Sequence, residues 1–306
     1  MIKHVLIVAL GAISYGMLAS FAKIAYSQGY TAGEITLAQA FLGALLLWGI
    51  VLFRRLTNRS TPIIQNWRLL VAGTSIGLSA YIYYLSVSYI PASLAIVLLM
   101  QITWISSITE WFFFKKRPSR STTIATIFII IGTILAGNLL TIGRLNISLT
   151  GIVLGLLSAV IYSLSVIFTS QLGKETPVFE KSALMMTGSA TIIFMINLKS
   201  ILMSTHLNYG LLQWGLFLAI FGTVIPPVCF SIGMPKIGAS LSSILLTLEL
   251  PVAVFCAHII LGENITFVQI QGIIVMLGAI TYLNLANFKK SKTIKANNNP
   301  FSLSNS

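Results

Sequence analysis

Glu249 and Pro251 stand two residues apart inside an apolar stretch that runs from Ala239 to Leu261. A carboxylate near a bilayer midplane costs roughly 2.5–3.5 kcal/mol on insertion scales, so it turns toward protein or a water-filled cavity rather than lipid. Pro251 has no N–H to give the carbonyl four residues back, which leaves the C=O of Thr247 without its helical partner. The pair offers an ionisable group beside a freed carbonyl. That chemistry suits an ammonium group, a cation or a transferred proton, so proton coupling belongs among the readings. The plainer reading is a kinked helix whose Glu is hydrogen-bonded in the core. Around the pair run two polar stripes about 120° apart by helical spacing: Ser240, Ser243 and Thr247 lead to Pro251, while Ser242, Glu249 and Cys256 share a second face.

A second apolar stretch carries Gln101 and Trp104 on one face, with Thr103, Ser107 and Glu110 on another. A Gln and a Trp near mid-membrane could bind an amide, a carboxylate or a ring. Glu110 lies near Lys115–Arg117, where ion pairing at the membrane edge is the simpler expectation. Lys23 would ordinarily snorkel to the headgroups, yet it could attract an anionic substrate group. Tyr81, Tyr83 and Tyr84 cluster on one segment, and Tyr15 and Tyr162 stand on two others. Tyrosines at segment ends, such as Tyr26 and Tyr89, fit an interfacial belt. The candidate substrate-binding residues are therefore Glu249, Thr247, Pro251, Gln101, Trp104, Tyr15, Tyr83 and Lys23.

Several chemistries find no residues to carry them. There is no Gly-rich loop ending in Gly-Lys-Ser/Thr, so no ATP-driven pump is expected. His4, His206 and His258 lack metal-ligand spacing, and no nucleophile–base pair stands out. Neither a metal, a cofactor nor an enzymatic activity is expected.

These residues must be held by membrane helices. The chain is 56% hydrophobic and 8% charged, with a mean hydropathy of +0.92, beyond what a soluble domain needs. Ten apolar segments of about 20 residues can be cut from it, near 4–26, 32–53, 68–89, 92–114, 121–140, 150–172, 181–201, 211–234, 239–261 and 267–287. The first is longer than the apolar core of a signal peptide and reads as a retained helix. The formal charge of +13 would suggest nucleic acid in a soluble protein. Here it has another source. With the N-terminus inside, nearly all lysines and arginines fall on the cytoplasmic side, and only Lys23, Arg144 and Lys199 fall outside. Both termini are then cytoplasmic, the bilayer is the principal partner and no nucleic-acid partner is expected. Nothing in the sequence sets an oligomeric state.

A shift of 147 residues lays IPASLAIVLLMQ at Ile90 on IGASLSSILLTL at Ile237, Tyr15 on Tyr162 and Phe21 on Phe168. Each copy would hold five helices, an odd number, so the second would enter the membrane inverted. The expected fold is an all-α integral membrane protein of ten helices in two inverted five-helix repeats, 1–145 and 146–288. A tail, 289–306, is expected to be disordered because it has no apolar periodicity.

Over residues 5–287 the chain resembles EamA-type members of the drug/metabolite transporter superfamily. The resemblance rests on LELPVAVFCAHIILGEN (Leu248–Asn264) and IPASLAIVLL (Ile90–Leu99). It implies alternating-access secondary transport through a cavity between the halves, commonly export of small metabolites such as amino acids from a bacterial inner membrane. The first half departs from the pattern. Trp104 stands where a proline would be expected, and Lys116 occupies the slot corresponding to Glu263. The fourth helix is accordingly expected to be straighter than the ninth. The alternative from another class is a lipid-handling or structural membrane protein with no small-solute transport.

Overall fold

The structure, a computed structural model, describes residues 2–57, 67–115, 120–136, 148–173, 175–202, 208–237, 245–246 and 248–297. Among the described residues every regular element is helical. The helices are α1 (Ile2–Ser27), α2 (Ala32–Thr57), α3 (Trp67–Tyr89), α4 (Ala92–Leu99), α5 (Ile102–Phe114), α6 (Arg120–Ala136), α7 (Leu149–Gln171), α8 (Val178–Leu202), α9 (Tyr209–Leu218), α10 (Ile225–Ile237), α11 (Glu249–Leu261) and α12 (Phe267–Asn297). A π-helical turn, Ala219–Val224, joins α9 to α10.

Six of these segments are long and apolar enough to cross a membrane, and four shorter apolar helices accompany them: Ala92–Ser106, Arg120–Ala136, Glu249–Leu261 and Phe267–Leu283. Helix is the natural state of such sequence, because hydrocarbon offers no partner to an unpaired backbone group. Starts are marked by side chains that accept from otherwise unpaired N–H groups. Thr31 and Glu34 form a reciprocal capping box at α2, and Thr266 and Gln269 form one at α12. Asn208 Oδ1 accepts from Leu211 N at 3.0 Å at the head of α9. Gly262, with φ +67°, ends α11 in the left-handed conformation that glycine adopts without steric cost. Helical backbone continues to Asn297, past the point where an irregular tail was expected. No proline or glycine interrupts residues 279–299, and Lys and Ala favour helix despite their lack of an apolar face.

The fourth segment, expected to be straighter than the ninth for want of a proline, is itself interrupted. It breaks at Met100–Gln101, between α4 and α5. Gln101 N donates to Leu98 O at 3.1 Å, a tighter turn, and the amide of its own side chain takes the abandoned Val97 carbonyl at 2.9 Å. The corresponding turn before α11 is tight in the same way, with Leu248 N donating to Leu245 O at 3.1 Å. Ile102 and Glu249 therefore begin matching helices, 147 residues apart. In the eighth segment Pro226 and Pro227 withdraw two backbone donors, and the chain answers with the π turn just before them. Ser14 Oγ donates to the Phe221 carbonyl within that turn.

Packing respects the shift of 147. α1 packs on α10 and α11, while α7 packs on α3 and on α4 with α5. α3 meets α8, and α9 meets α2. Two further contacts join a helix to its own counterpart, α2 to α8 and α6 to α12, while α4 meets α11, the counterpart of α5. Exchanging the two halves thus maps most of these helix contacts onto one another. Small residues permit the closest approaches, as at Gly73 on α3, which lies against the backbone of Met185. Two ion pairs tie one half to the other: Lys23 to Glu263 at 3.4 Å and Arg55 to Glu180 at 2.9 Å.

Candidate functional site

Where the halves meet, a cavity of about 170 Å³ is enclosed by side chains from both. Glu249 reaches it from the first residue of α11. Gly16 explains how α1 comes so near, since a Cβ there would lie 2.8 Å from both the Glu249 carbonyl and Val252 Cβ. That contact brings the neighbouring Tyr15 into the cavity wall beside Glu249. Tyr83 and Tyr84 come from α3 and Tyr162 from α7, so four tyrosines and one carboxylate face one space. Among the described residues Glu249 has no hydrogen-bonded side-chain partner. Three pairs of positions related by the 147-residue shift line the same cavity: Tyr15 with Tyr162, Gln39 with Met186, and Ile76 with Thr223. The rest of the polar lining is Thr36, Ser79 and Ser189. The hydroxyls of Ser79 and Thr36 are spent on the carbonyls of Ser158 and Ala32.

Of the residues singled out from the sequence, the structure gathers Glu249, Tyr15 and Tyr83 here. Pro251 sits one turn into α11 and shapes the helix start without lining the cavity. Thr247 lies outside the described residues, as do Ser240, Ser242 and Ser243; so do the side chains of Ser107 and Glu110. Gln101 and Trp104 go elsewhere. Gln101 is buried, its Nε2 donates to Val97 O and to Thr133 Oγ1 at 2.6 Å, and its Oε1 accepts from Trp104 Nε1 at 2.8 Å. Both of its ends are engaged in joining α4 and α5 to α6.

Lys23 is also engaged. Its Nζ donates to Ile90 O at 3.0 Å and stands 3.4 Å from Glu263 Oε1. Glu263 in turn accepts from Ala92 N at 2.7 Å, Ser93 N at 3.2 Å and Ser93 Oγ. A carboxylate from one half thus caps the N-terminus of α4 in the other, where both N–H groups and the helix dipole favour negative charge. A signal for this existed in the sequence. Pro91 at the N-cap has no side-chain acceptor, so α4 needed one from elsewhere.

Sequence reasoning also missed Gln39, whose signal was a lone amide within an otherwise apolar helix. Gln39 Oε1 accepts from Tyr84 Oη at 2.9 Å, and Tyr26 Oη donates to the Tyr84 carbonyl at 3.0 Å. Among the described residues no group of three or more His, Cys, Asp or Glu side chains is arranged to hold a metal.

Comparison with known proteins gives this geometry a context. The chain is 26% identical to the uncharacterized transporter sll1319 of Synechocystis sp., covering 91% of this chain and 92% of that one. It is 25% identical to the threonine/homoserine exporter RhtA of Salmonella typhimurium, over 90% of this chain and 88% of that protein. A solved crystal structure shares the fold with a TM-score of 0.66 at 15% identity, over 93% of this chain and 97% of its own. The EamA-like transporter family matches twice, at residues 2–138 and 149–285, and both limits of the second match lie 147 residues beyond the first. Those two matches account for nearly all of the chain, which belongs to the EamA-like transporter family and is a multi-pass membrane transporter.

Proposed function

We propose that this protein is a secondary active transporter of the inner membrane that exports small metabolites bearing an ammonium group, amino acids among them. The observation that carries the reading is Glu249, a carboxylate without a hydrogen-bonded partner among the described residues, facing a cavity shared by both halves. An ammonium group would donate to it and balance its charge, and the aromatic faces of Tyr15, Tyr83 and Tyr162 would add cation–π attraction. The relative RhtA is named a threonine/homoserine exporter, which is consistent with such a site. Ten membrane crossings in two inverted repeats, with both termini cytoplasmic, complete the proposal. The Lys23–Glu263–α4 contact would then close the outer side and Arg55–Glu180 would bridge the inner side. Alternating access requires these ties to break in turn as the halves rock about the cavity. A proton could be exchanged at Glu249 as substrate leaves.

A lateral groove supports a second reading. It has a volume of about 780 Å³ and is lined largely by apolar side chains of α2, α8 and α9, including Phe41, Leu45 and Phe194. An acyl chain would fit such a surface, as a lipid-handling protein would need. One experiment separates the two. Cells with and without the protein are challenged with toxic concentrations of amino acids, amines and their analogues. Export predicts rescue by the protein and lower intracellular solute; a lipid-handling protein predicts no rescue by any small solute.

A further inference from the structure

The cavity carries two unlike polar groups, and the difference points to how a substrate is read. Gln39 belongs to α2 and faces the cavity. A side-chain amide presents an acceptor at one end and two donors at the other. Its orientation here is decided by Tyr84, which is 3% exposed and whose buried hydroxyl must donate to an acceptor. Tyr84 Oη donates to Gln39 Oε1 at 2.9 Å. Turning the amide over would oppose N–H to O–H and leave the phenolic proton unpaired. The Gln39 Nε2 donors are therefore directed away from Tyr84. They lie against Gly222 in the π turn, where a Cβ would stand 2.7 Å from Nε2 and cover it. Among the described residues no acceptor is bonded to Nε2.

We infer that Gln39 is a specificity-determining residue, which donates hydrogen bonds to a carboxylate or carbonyl oxygen of the substrate, and that Tyr84 is its positioning residue. The inference rests on the transporter reading above and extends it. Glu249 is an acceptor for the cationic end, and Gln39 is a donor for the oxygen end. The counterparts of these two residues under the 147-residue shift are Ile102 and Met186, both apolar. The exchange of halves therefore does not reproduce the polar pair, and a bipolar solute would bind in one orientation.

The test uses the purified full chain in proteoliposomes and two matched pairs of probes: phenylalanine with phenethylamine, and threonine with 1-amino-2-propanol. Each amine keeps the ammonium group and lacks the carboxylate. Wild type is expected to favour the amino acid of a pair. Gln39→Met, which copies the residue at the matched position 186, should lose about tenfold or more in apparent affinity for that amino acid, with a much smaller effect on the amine. Tyr84→Phe should show a smaller loss with the same selectivity, because the amide remains but is free to turn. Equal losses for acid and amine, or no loss for either, would overturn the inference and leave the transporter reading standing. Wild-type uptake that ignores the carboxylate would do the same. Uptake of none of the four probes would count against the proposed amine and amino-acid transport itself, and the inference would fall with it.

Discussion

Glu249 concentrates the residue-scale argument, because its apolar counterpart Ile102 shows that the fold does not need a carboxylate at this step. It begins α11, and its side chain meets the cavity rather than the packed clusters around Leu250 and Ala253. Glu249→Gln retains shape and hydrogen-bonding capacity while removing the charge. The variant should reach the membrane at normal levels and lose about tenfold or more of its transport, the scale of one charged hydrogen bond. Its residual transport should be flat with pH. Wild-type rates from the Gln variant across the pH range would make Glu249 a packing residue. Gln101 supplies the contrast. Its amide is consumed by Val97, Thr133 and Trp104, so Gln101→Ala should lower thermal stability by about 1–3 kcal/mol with little change in substrate preference. A melting curve in detergent, read beside a substrate-competition series, separates the two effects.

At the scale of elements, helix ends and helix contacts carry the mechanism. The head of α4 is capped by Glu263, which also faces Lys23. Glu263→Gln keeps an acceptor oxygen for α4 but removes the charge that holds Lys23. The outer side should then open more often. A cysteine placed at Tyr83, in a chain with Cys229 and Cys256 replaced by serine, should be labelled faster from outside by a membrane-impermeant maleimide. Unchanged labelling would mean that this contact does not close the outer side. The α3–α8 contact tests packing instead. Gly73 lies against the backbone of Met185, so Gly73→Leu forces the helices apart. A loss of about 1–3 kcal/mol is expected, seen as a lower melting temperature.

The whole molecule is an assembly of two similar halves, most of whose helix contacts exchange onto one another, with a cavity where they meet. This arrangement has a topological consequence. The five crossings per half proposed above would turn the second copy over, so reporters fused after Lys116 and Lys236 should report cytoplasm, and reporters near Arg144 and Glu263 should report the outside. A fusion after Asn287 should report cytoplasm, and an external signal there would mean an odd number of crossings and end the inverted-repeat argument. The lysines and arginines that would orient the chain in this topology are the same ones that give it a net +13.

Apolar length and the offset of 147 residues were legible in the chain itself, because a helix in hydrocarbon satisfies its own backbone and needs no distant partner to be recognised. The same reasoning isolated Glu249, since a carboxylate at that depth is too costly to be incidental. Tyr15 and Tyr162 could be paired by the offset alone, before anything brought them to one cavity. Other assignments depended on neighbours that sequence does not name. Gln101 and Gln39 are both amides in apolar helices, yet one is absorbed by Thr133 and Trp104 while the other faces open space. Lys23 reads as a snorkelling lysine until the loop after α11 brings Glu263 to within 3.4 Å. The break at Met100–Gln101 was hidden for a related reason, as its cause is a side-chain hydrogen bond rather than a proline. Periodicity and cost belong to single helices, whereas the partner of a polar group is decided by which helix packs beside it, and only the tertiary structure sets that.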